Sequence, residues 1–242
     1  MSVLAKLKAQ KQSAGFFGVV AGCRLGGKST IAGTLPGKTI MMQAKLIETG
    51  SRSAEALAKR MGNEIDVVEF DTINTLVSVL AELRDDKTYD NVYIDGLSAI
   101  NEMKSREPEM VKQFKKNVWD AYRDVGDSAM NILYLAKLLA EETGKNVFFT
   151  LAMKEKYDSM GNLINLEADL KGNMTLGSIK RLCPTVVCVR SVMNEDGTVE
   201  RQLLTKSDGP YSARIDCLLD DTNPGVLEAD LSKVLELVMS QV

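Results

Sequence analysis

The chain reads Gly22-Cys23-Arg24-Leu25-Gly26-Gly27-Lys28-Ser29 directly after a short apolar run, and this stretch matches the spacing G-x-x-x-x-G-K-[ST] at every fixed position. Glycines at these positions let the backbone wrap tightly, so that successive N–H groups point at phosphate oxygens. A helix that starts at the end of such a loop favours an anion at its positive N-terminus. The stretch therefore predicts a loop that binds the phosphates of a nucleoside triphosphate.

The fixed residues of this loop also predict how the nucleotide is held. Lys28 is expected to reach the β- and γ-phosphates, and the hydroxyl of Ser29 is expected to complete the shell of a magnesium ion. The apolar run before the loop and the helical stretch after it provide the context that the motif requires. The predicted contact residues are Gly22, Cys23, Arg24, Leu25, Gly26, Gly27, Lys28, Ser29 and Thr30.

Apolar runs alternate with stretches of helical periodicity along most of the chain. The predicted strands are 15–21, 38–43, 65–70, 91–95 and 146–153, and the predicted helices begin near residue 28 and cover 51–61, 72–84 and much of 101–142. This alternation predicts an α/β fold with a mostly parallel sheet that helices cover on both faces. The turn signal Asn194-Glu195-Asp196-Gly197 between two apolar segments predicts an antiparallel hairpin over 185–205.

Local signals predict the remaining connections. Turn chemistry at Pro36-Gly37 is expected to end the helix after the loop. A serine cap, Ser51 or Ser53, is expected at the next helix. Residues 154–174 are expected to form polar turns, and a short amphipathic helix is expected to lie near the end of the chain. No repeat or linker interrupts the sequence, so we expect a single domain over 1–242, with its core at about 15–216.

Composition excludes several kinds of chemistry. The chain has 242 residues, a formal net charge of −3 and no histidine, so Ser-His-Asp and Cys-His catalysis and the usual zinc sites are absent. The four cysteines form no C-x-x-C pair, which favours free thiols in a reducing compartment. No apolar run is long enough for a membrane span and residues 1–13 do not resemble a signal peptide, so we expect a cytoplasmic protein without membrane contact.

Carboxylates are expected to complete the magnesium site and to activate water. Asp95 follows the buried run Val92-Tyr93-Ile94 and is predicted to be the metal carboxylate, with Ser98 just beyond it. Glu48, after the second strand, is the first candidate for the water activator, and Glu102 is its rival. Thr150, at the end of the fifth strand, is a candidate sensor of the γ-phosphate.

In its order of motifs the chain resembles phage-encoded RecA-like ATPases, including the Sak-type group that anneals single strands. The resemblance covers about residues 15–216. It rests on the loop 22–29, Thr34-Leu35-Pro36-Gly37-Lys38-Thr39, Glu48-Thr49-Gly50-Ser51, Val92-Tyr93-Ile94-Asp95-Gly96-Leu97-Ser98, the strand ending at Thr150, the hairpin and the segment from Lys206 to Arg214.

The resemblance implies a RecA-like P-loop core that binds ATP and Mg²⁺, hydrolyses ATP and acts on single-stranded DNA in phage recombination or replication, in the host cytoplasm. It also implies self-assembly into a homo-oligomer, with a single-strand binding protein as a further partner. Glu48 would be the water activator and Thr150 the sensor. Two positions depart from the pattern: Leu151-Ala152-Met153 where a polar residue, commonly His, often follows the fifth strand, and Cys183-Pro184-Thr185 where Asp often precedes the sixth. These departures concern hydrolysis rather than nucleotide binding.

Basic residues after the fourth and fifth strands are candidates for DNA contact, because cations can follow a phosphate backbone while aromatic rings stack on bases. The first stretch, 104–122, interleaves lysines and Arg106 with Phe114, Trp119 and Tyr122. The second contributes our candidate DNA-binding residues Lys154, Lys156 and Lys171, followed by Lys180 and Arg181. The alternative interpretation is a solvated helix face whose aromatic residues, Trp119 included, belong to the core.

Two later cations, Lys206 and Arg214, are candidates to act in trans, across a subunit boundary, on the nucleotide of a neighbour.

Three other functions compete with a DNA-dependent ATPase. A nucleotide kinase would need an arginine-rich lid and a GTPase would need N-K-x-D, and the sequence has neither. An ATP-binding assembly protein with little turnover remains an alternative.

Overall fold

The structure is a computed structural model, and it describes residues 14–45, 47, 49–172, 176–218 and 221–241. The strands are β1 (Phe17–Cys23), β2 (Lys38–Ala44), β3 (Glu64–Phe70), β4 (Asn91–Asp95), β5 (Asn146–Tyr157), β6 (Leu163–Ala168), β7 (Thr185–Met193), β8 (Val199–Leu204), β9 (Arg214–Ile215) and β10 (Val226–Glu228). The helices are a 3₁₀ helix (Thr30–Thr34), α1 (Ser51–Met61), α2 (Ile73–Glu82), α3 (Leu97–Arg106), α4 (Pro108–Lys116), α5 (Val118–Thr143), α6 (Leu176–Leu182) and α7 (Leu231–Met239).

One sheet joins all of these strands, in the order β10-β8-β7-β1-β5-β4-β2-β3, with β6 paired to β5 and β9 paired to β7. The strands from β7 to β3 along this order are parallel, whereas β6, β8, β9 and β10 pair antiparallel. The predicted α/β class, the mostly parallel sheet and the C-terminal hairpin are therefore confirmed. Strand β5 lies between β1 and β4, which brings the ends of three strands to one edge.

Helices cover both faces of the sheet, because consecutive strand residues point to opposite sides. On one face, Val19, Ile94 and Phe149 pack in one cluster with residues of α2, α3 and α5. On the other face, Val20 and Phe148 pack with the 3₁₀ helix, Ala54 of α1 and residues of α7. Within the described residues, no helix combines the length and the apolar character that a membrane crossing requires.

The helix after the loop differs from the prediction. It is a 3₁₀ helix that begins at Thr30 rather than an α-helix from about Lys28. Its end is as predicted, because a residue before proline is driven out of the helical region and Leu35 is extended at ψ 127°. A Cβ on Gly33 would lie 2.4 Å from the Ala54 carbonyl oxygen, so the glycine lets this turn pack directly on α1.

The polar segment after the fifth strand is more ordered than the sequence predicted. Strand β5 runs on to Tyr157 and pairs antiparallel with β6, so 154–168 forms a hairpin instead of turns alone. The turn signal itself is confirmed: Gly161 has φ 83°, and the Asp158 carboxylate accepts hydrogen bonds from the backbone N–H groups of Met160 and Asn162, both at 2.8 Å. The strand was missed because Leu166 is the one buried residue of β6, while its neighbours, Ile164 included, are exposed or half-buried.

Two other local expectations need correction. The residue that precedes α1 is Gly50, so neither Ser51 nor Ser53 caps that helix. Most of 101–142 is helical, as predicted, and is divided among α3, α4 and α5. The expectation that Trp119 lies in the core is wrong, because 82% of this residue is exposed. Phe114 and Tyr122 do pack together, edge to face, with ring centroids 5.1 Å apart.

Candidate functional site

The glycine-rich loop (residues 22–29) leaves the carboxyl end of β1 and turns back through two left-handed residues, Leu25 at φ 62° and Gly27 at φ 92°. A Cβ on Gly22 would lie 2.9 Å from the Val189 carbonyl oxygen of β7, so a larger residue would push the two strands apart. The Gly26 N–H donates to the Cys23 carbonyl at 3.2 Å and closes the turn. The loop therefore depends on glycine at the positions that the motif fixes.

Lys28 is held at both its backbone and its side chain. Its ammonium group donates to the Cys23 carbonyl oxygen at 2.7 Å, so the side chain folds back over the loop and its charge lies beside the loop backbone. Its own carbonyl accepts a hydrogen bond from the hydroxyl of Tyr93, a buried residue of β4. Burial, together with the charge of Asp95, raises the pKa of Tyr93 well above its usual value, so this donor keeps its proton. The ammonium group is therefore held at the loop, where the motif predicts that it binds phosphate.

Asp95 ends β4 and is 1% exposed. Its Oδ1 accepts a hydrogen bond from the Thr150 hydroxyl at 2.8 Å, whereas its Oδ2 has no partner of normal hydrogen-bond geometry among the described residues. Burial raises the pKa of Asp95, and the nearby Ser29 hydroxyl, the Thr150 hydroxyl and the charge of Lys28 partly offset that rise. A buried carboxylate oxygen without a partner calls for a ligand, a water or an ion.

The second unpartnered buried oxygen among the described residues is Oε1 of Gln43. Gln43 lies opposite Asp95 in the β2–β4 register, and its amide donates to Glu69 at 3.2 Å. Both unsatisfied atoms thus belong to neighbouring strands at the carboxyl edge. In open α/β sheets this edge is where ligands bind.

Strand β5 contributes two further groups to this edge. Thr150 is paired with Val20 of β1, the strand that precedes the glycine-rich loop. On its other side its hydroxyl donates to Asp95 of β4. One residue past Leu151, the Ala152 N–H donates to the Ser98 hydroxyl at 3.2 Å, which ties α3 to β5. The predicted metal carboxylate and the predicted sensor are therefore directly hydrogen-bonded to each other.

Gly50 was not identified from the sequence, yet it borders the same site. A Cβ at this position would lie 2.4 Å from the Ser29 hydroxyl oxygen and 3.5 Å from Asp95 Oδ2. Its backbone angles, φ −77° and ψ −9°, suit any residue, so only the lack of space requires glycine. A glycine just before a predicted helix is too common a signal to have singled it out.

We expect Gly50→Ala to weaken Mg²⁺-dependent nucleotide binding by about tenfold, because the new methyl group displaces the Ser29 hydroxyl from the metal position. The backbone angles of Gly50 are open to alanine, so the folded state should persist with a local shift of Ser29. Titration of the variant with ATP in the presence and absence of Mg²⁺ checks this. Arg52→Ala, an exposed change on the same helical turn, is the control, and equal affinities of both variants would contradict the account of Gly50.

A cleft of about 840 Å³ opens above this edge. Its lining is rich in cations: Arg24, Lys28, Arg106, Lys154, Lys171 and Arg201. The carboxylates that line it are Asp95, Glu102 and Asp169. An excess of positive charge in a cleft concentrates anionic ligands even when the whole chain is acidic.

Most cleft cations have partners. Asp169 pairs with both Arg24 at 3.2 Å and Lys154 at 2.6 Å. Arg106 pairs with Glu102, the rival candidate for the water activator. These pairs hold the side chains in place and lower the net charge that each presents to a ligand.

Lys171 also faces the cleft, with its ammonium group 2.8 Å from the Ser105 hydroxyl. Its backbone is fixed by two hydrogen bonds to Asn101 of α3, which donates at 3.1 Å and accepts at 2.6 Å. A Cβ on the next residue, Gly172, would lie 2.2 Å from the Tyr122 carbonyl oxygen, so this segment also packs on α5.

Other predicted residues lie apart from the cleft. Lys156 pairs with Glu167 across the β5–β6 hairpin at 2.9 Å. Arg214 pairs with Asp216 at 2.7 Å and donates to the Lys180 carbonyl, while Lys206 is exposed just after β8. Glu48 lies outside the described residues, although Ile47 and Thr49 both line the cleft.

The oxygen atoms of Ser29 and Asp95 fit an Mg²⁺ ion that enters the site bound to a nucleotide. In the described part of the chain, no group of three or more His, Cys, Asp or Glu side chains could hold a metal ion by itself. Mg²⁺ in phosphate-transfer sites usually keeps several waters and takes only one or two protein ligands, with phosphate oxygens as the rest. Ser29 and the unpartnered Oδ2 of Asp95 meet that smaller requirement.

No family model matches the chain, and no curated protein gives a significant match. The function of the protein is therefore inferred from the geometry of the cleft and from the sequence motif.

Proposed function

We propose that the protein is a RecA-like P-loop ATPase that acts on single-stranded DNA in phage recombination or replication. The observation that carries the proposal is the meeting of three features at one sheet edge. They are the glycine-rich loop with Lys28, the Ser29 hydroxyl, and a buried Asp95 whose Oδ2 lacks a partner among the described residues. Each is what a nucleoside triphosphate with Mg²⁺ requires.

In this proposal the backbone N–H groups of the loop and Lys28 bind the β- and γ-phosphates. Ser29 and Asp95 hold Mg²⁺, which when bound neutralises the charge that develops on those phosphates. Thr150 senses the γ-phosphate through Asp95, since its hydroxyl already donates to that carboxylate. Glu48 orients the attacking water, and Glu102 is the alternative, although its ion pair with Arg106 would first have to open.

The RecA-like part of the proposal is supported by the order of the strands and by the resemblance of the motifs. The insertion of β5 between β1 and β4 brings Thr150 next to the metal carboxylate, at the position where the resemblance implies a sensor. Self-assembly into a homo-oligomer would let Lys206 and Arg214 reach the nucleotide of a neighbouring copy. Arg214 would first have to leave its pair with Asp216.

Contact with DNA is supported by cations and by one aromatic ring. Lys154 and Lys171 line the cleft, and Lys156 lies on the exposed hairpin beside it. Trp119 presents its ring to solvent at the start of α5, where it can stack on a base. Stacking together with phosphate contacts is the usual means of binding single strands without sequence preference.

One observation favours a second function, an ATP-binding protein without DNA contact, such as an assembly protein or a nucleotide kinase. Lys154 and Lys156, two of the candidate DNA-binding residues, are paired with Asp169 and Glu167. Pairs of this kind reduce the positive charge that a polyanion would meet. The two functions differ in whether single strands stimulate hydrolysis, so ATP turnover with and without single-stranded DNA separates them.

We expect salt-sensitive binding of single strands that ATP and Mg²⁺ strengthen. Replacing Lys154, Lys156 and Lys171 together by Gln should lower the slope of log affinity against log salt by about 2, since each single-strand phosphate contact contributes roughly 0.7. Filter binding over a range of salt measures the slope. Replacing Lys59, Lys87 and Lys233 removes the same charge elsewhere and should leave the slope unchanged. If the wild type binds no single strands with ATP and Mg²⁺, the DNA part of the proposal fails.

A further inference from the structure

The β7–β8 hairpin projects over the glycine-rich loop. Strand β7 pairs with β1 as far as Val189 opposite Gly22, and then continues to Met193 with β8 as its partner. At about 3.3 Å per residue, this extension reaches roughly 13 Å beyond the last β1 pair. Arg201 of β8 lies opposite Ser191, within the extension.

The side chain of Arg201 rests on the loop itself. A Cβ on Gly27 would lie 2.8 Å from Nε, 2.9 Å from Cδ and 3.3 Å from Cζ of Arg201. Arg201 is also one of the residues that line the cleft beside Lys28 and Ser29. Gly27 thus has two separate reasons to be glycine: its positive φ of 92°, and the guanidinium above it.

Arg201 differs from the other cleft cations in its pairing. Arg24, Lys154 and Arg106 each pair with a carboxylate. Lys28 donates to a backbone carbonyl. Arg201 makes no ion pair or hydrogen bond with any other residue of the described ranges. Its guanidinium, which has five N–H donors in a fixed fork, therefore keeps its full capacity for a ligand.

We propose that Arg201 is a nucleotide-binding residue that contacts the phosphate tail of the nucleotide held in the loop of its own chain. The proposal rests on the proposed nucleotide site and adds to it a contact that the motif does not contain. A guanidinium suits this role because it forms two parallel hydrogen bonds with phosphate oxygens. The contact is made in cis, in contrast to the trans contacts expected of Lys206 and Arg214.

The test compares Arg201→Ala and Arg201→Lys with wild type in titrations with Mg·ATP and with Mg·tripolyphosphate. Arg201→Ala should lose about tenfold in affinity for both ligands, because the contact is to phosphate. Arg201→Lys keeps the positive charge but loses the forked pair of N–H donors. Its affinity for both ligands should therefore lie between that of the wild type and that of Arg201→Ala. Arg84→Ala removes an arginine that pairs with Glu142 at a distance from the cleft, and should bind as wild type does.

Three outcomes decide the proposal. Loss of affinity for ATP but not for tripolyphosphate overturns it, because the contact would then be to the nucleoside. Recovery of ATP affinity when Lys28→Ala protein, which keeps Arg201, is mixed with Arg201→Ala also overturns it, because the contact would then be in trans. Equal affinities of Arg201→Ala and Arg84→Ala, with binding still lost in Lys28→Ala, overturn this inference alone. The failure of wild type to bind ATP would instead overturn the proposed function.

Discussion

Lys28→Ala is expected to lower the affinity for ATP by roughly 100-fold while the protein stays folded. The variant loses a charge-assisted contact to the β- and γ-phosphates, and such contacts contribute about 1.5–3 kcal/mol each. Lys28 lies at the partly exposed mouth of the loop rather than in the apolar core, so its truncation should leave the protein folded. Titration calorimetry with Mg·ATP measures the effect.

The matched control is Lys59→Ala, which removes the same charge from an exposed position on α1. It should bind ATP as the wild type does. Circular dichroism and thermal unfolding of both variants test whether they are folded. A folded Lys28→Ala protein with wild-type affinity would remove the basis for assigning residues 22–29 to phosphate binding.

Asp95→Asn is expected to have two opposite effects. It should abolish most Mg²⁺-dependent ATP turnover, because a neutral amide is a poorer ligand than a carboxylate for a hard cation. It should also raise the melting temperature of the protein without nucleotide, because burial raises the pKa of Asp95 and the ionised form is therefore the less stable one in the fold. Loss of activity with a gain of stability is typical of a functional residue that is strained in the free protein.

The direction of the pH effect follows from that raised pKa. An acid whose pKa is higher in the folded than in the unfolded state binds more protons when folded, so its contribution to the free energy of unfolding falls as pH rises between the two values. The gain in melting temperature from Asp95→Asn should therefore be largest above the folded pKa and disappear in acid. Asp127→Asn, exposed on α5, is the control. An equal or lower melting temperature for Asp95→Asn at neutral pH would contradict this account of the site.

The sequence predicted the parts of the fold that depend on local patterns. The alternation of apolar runs and helical periods predicted the parallel strands. Asp-Gly at 196–197 predicted the hairpin, and Gly197 has the positive φ, 80°, that a hairpin turn favours at glycine. The position of Asp95 beside the loop also followed, because parallel strands end at one edge. These predictions required only local sequence patterns and the rule that ligands bind at the carboxyl edge of a parallel sheet.

The features that the sequence missed depend on contacts between distant residues. The guanidinium of Arg201 reaches Gly27 from a strand far along the chain, and Gly50 is a glycine because Ser29 leaves no room for a Cβ. The antiparallel partner of β5 was missed because only Leu166 of β6 is buried. Trp119 was expected in the core because large aromatic residues usually are buried. No local pattern distinguishes these cases, so tertiary contacts were needed to find them.

The central claim is that the loop, Ser29 and Asp95 form one site for a nucleoside triphosphate and Mg²⁺. Titration calorimetry of the wild-type protein with ATP, first with Mg²⁺ and then with the metal chelated, tests it most directly. The account predicts saturable binding of one ATP per chain that weakens when Mg²⁺ is removed. Absence of detectable binding to ATP in the presence of Mg²⁺, by a protein shown to be folded, would contradict it.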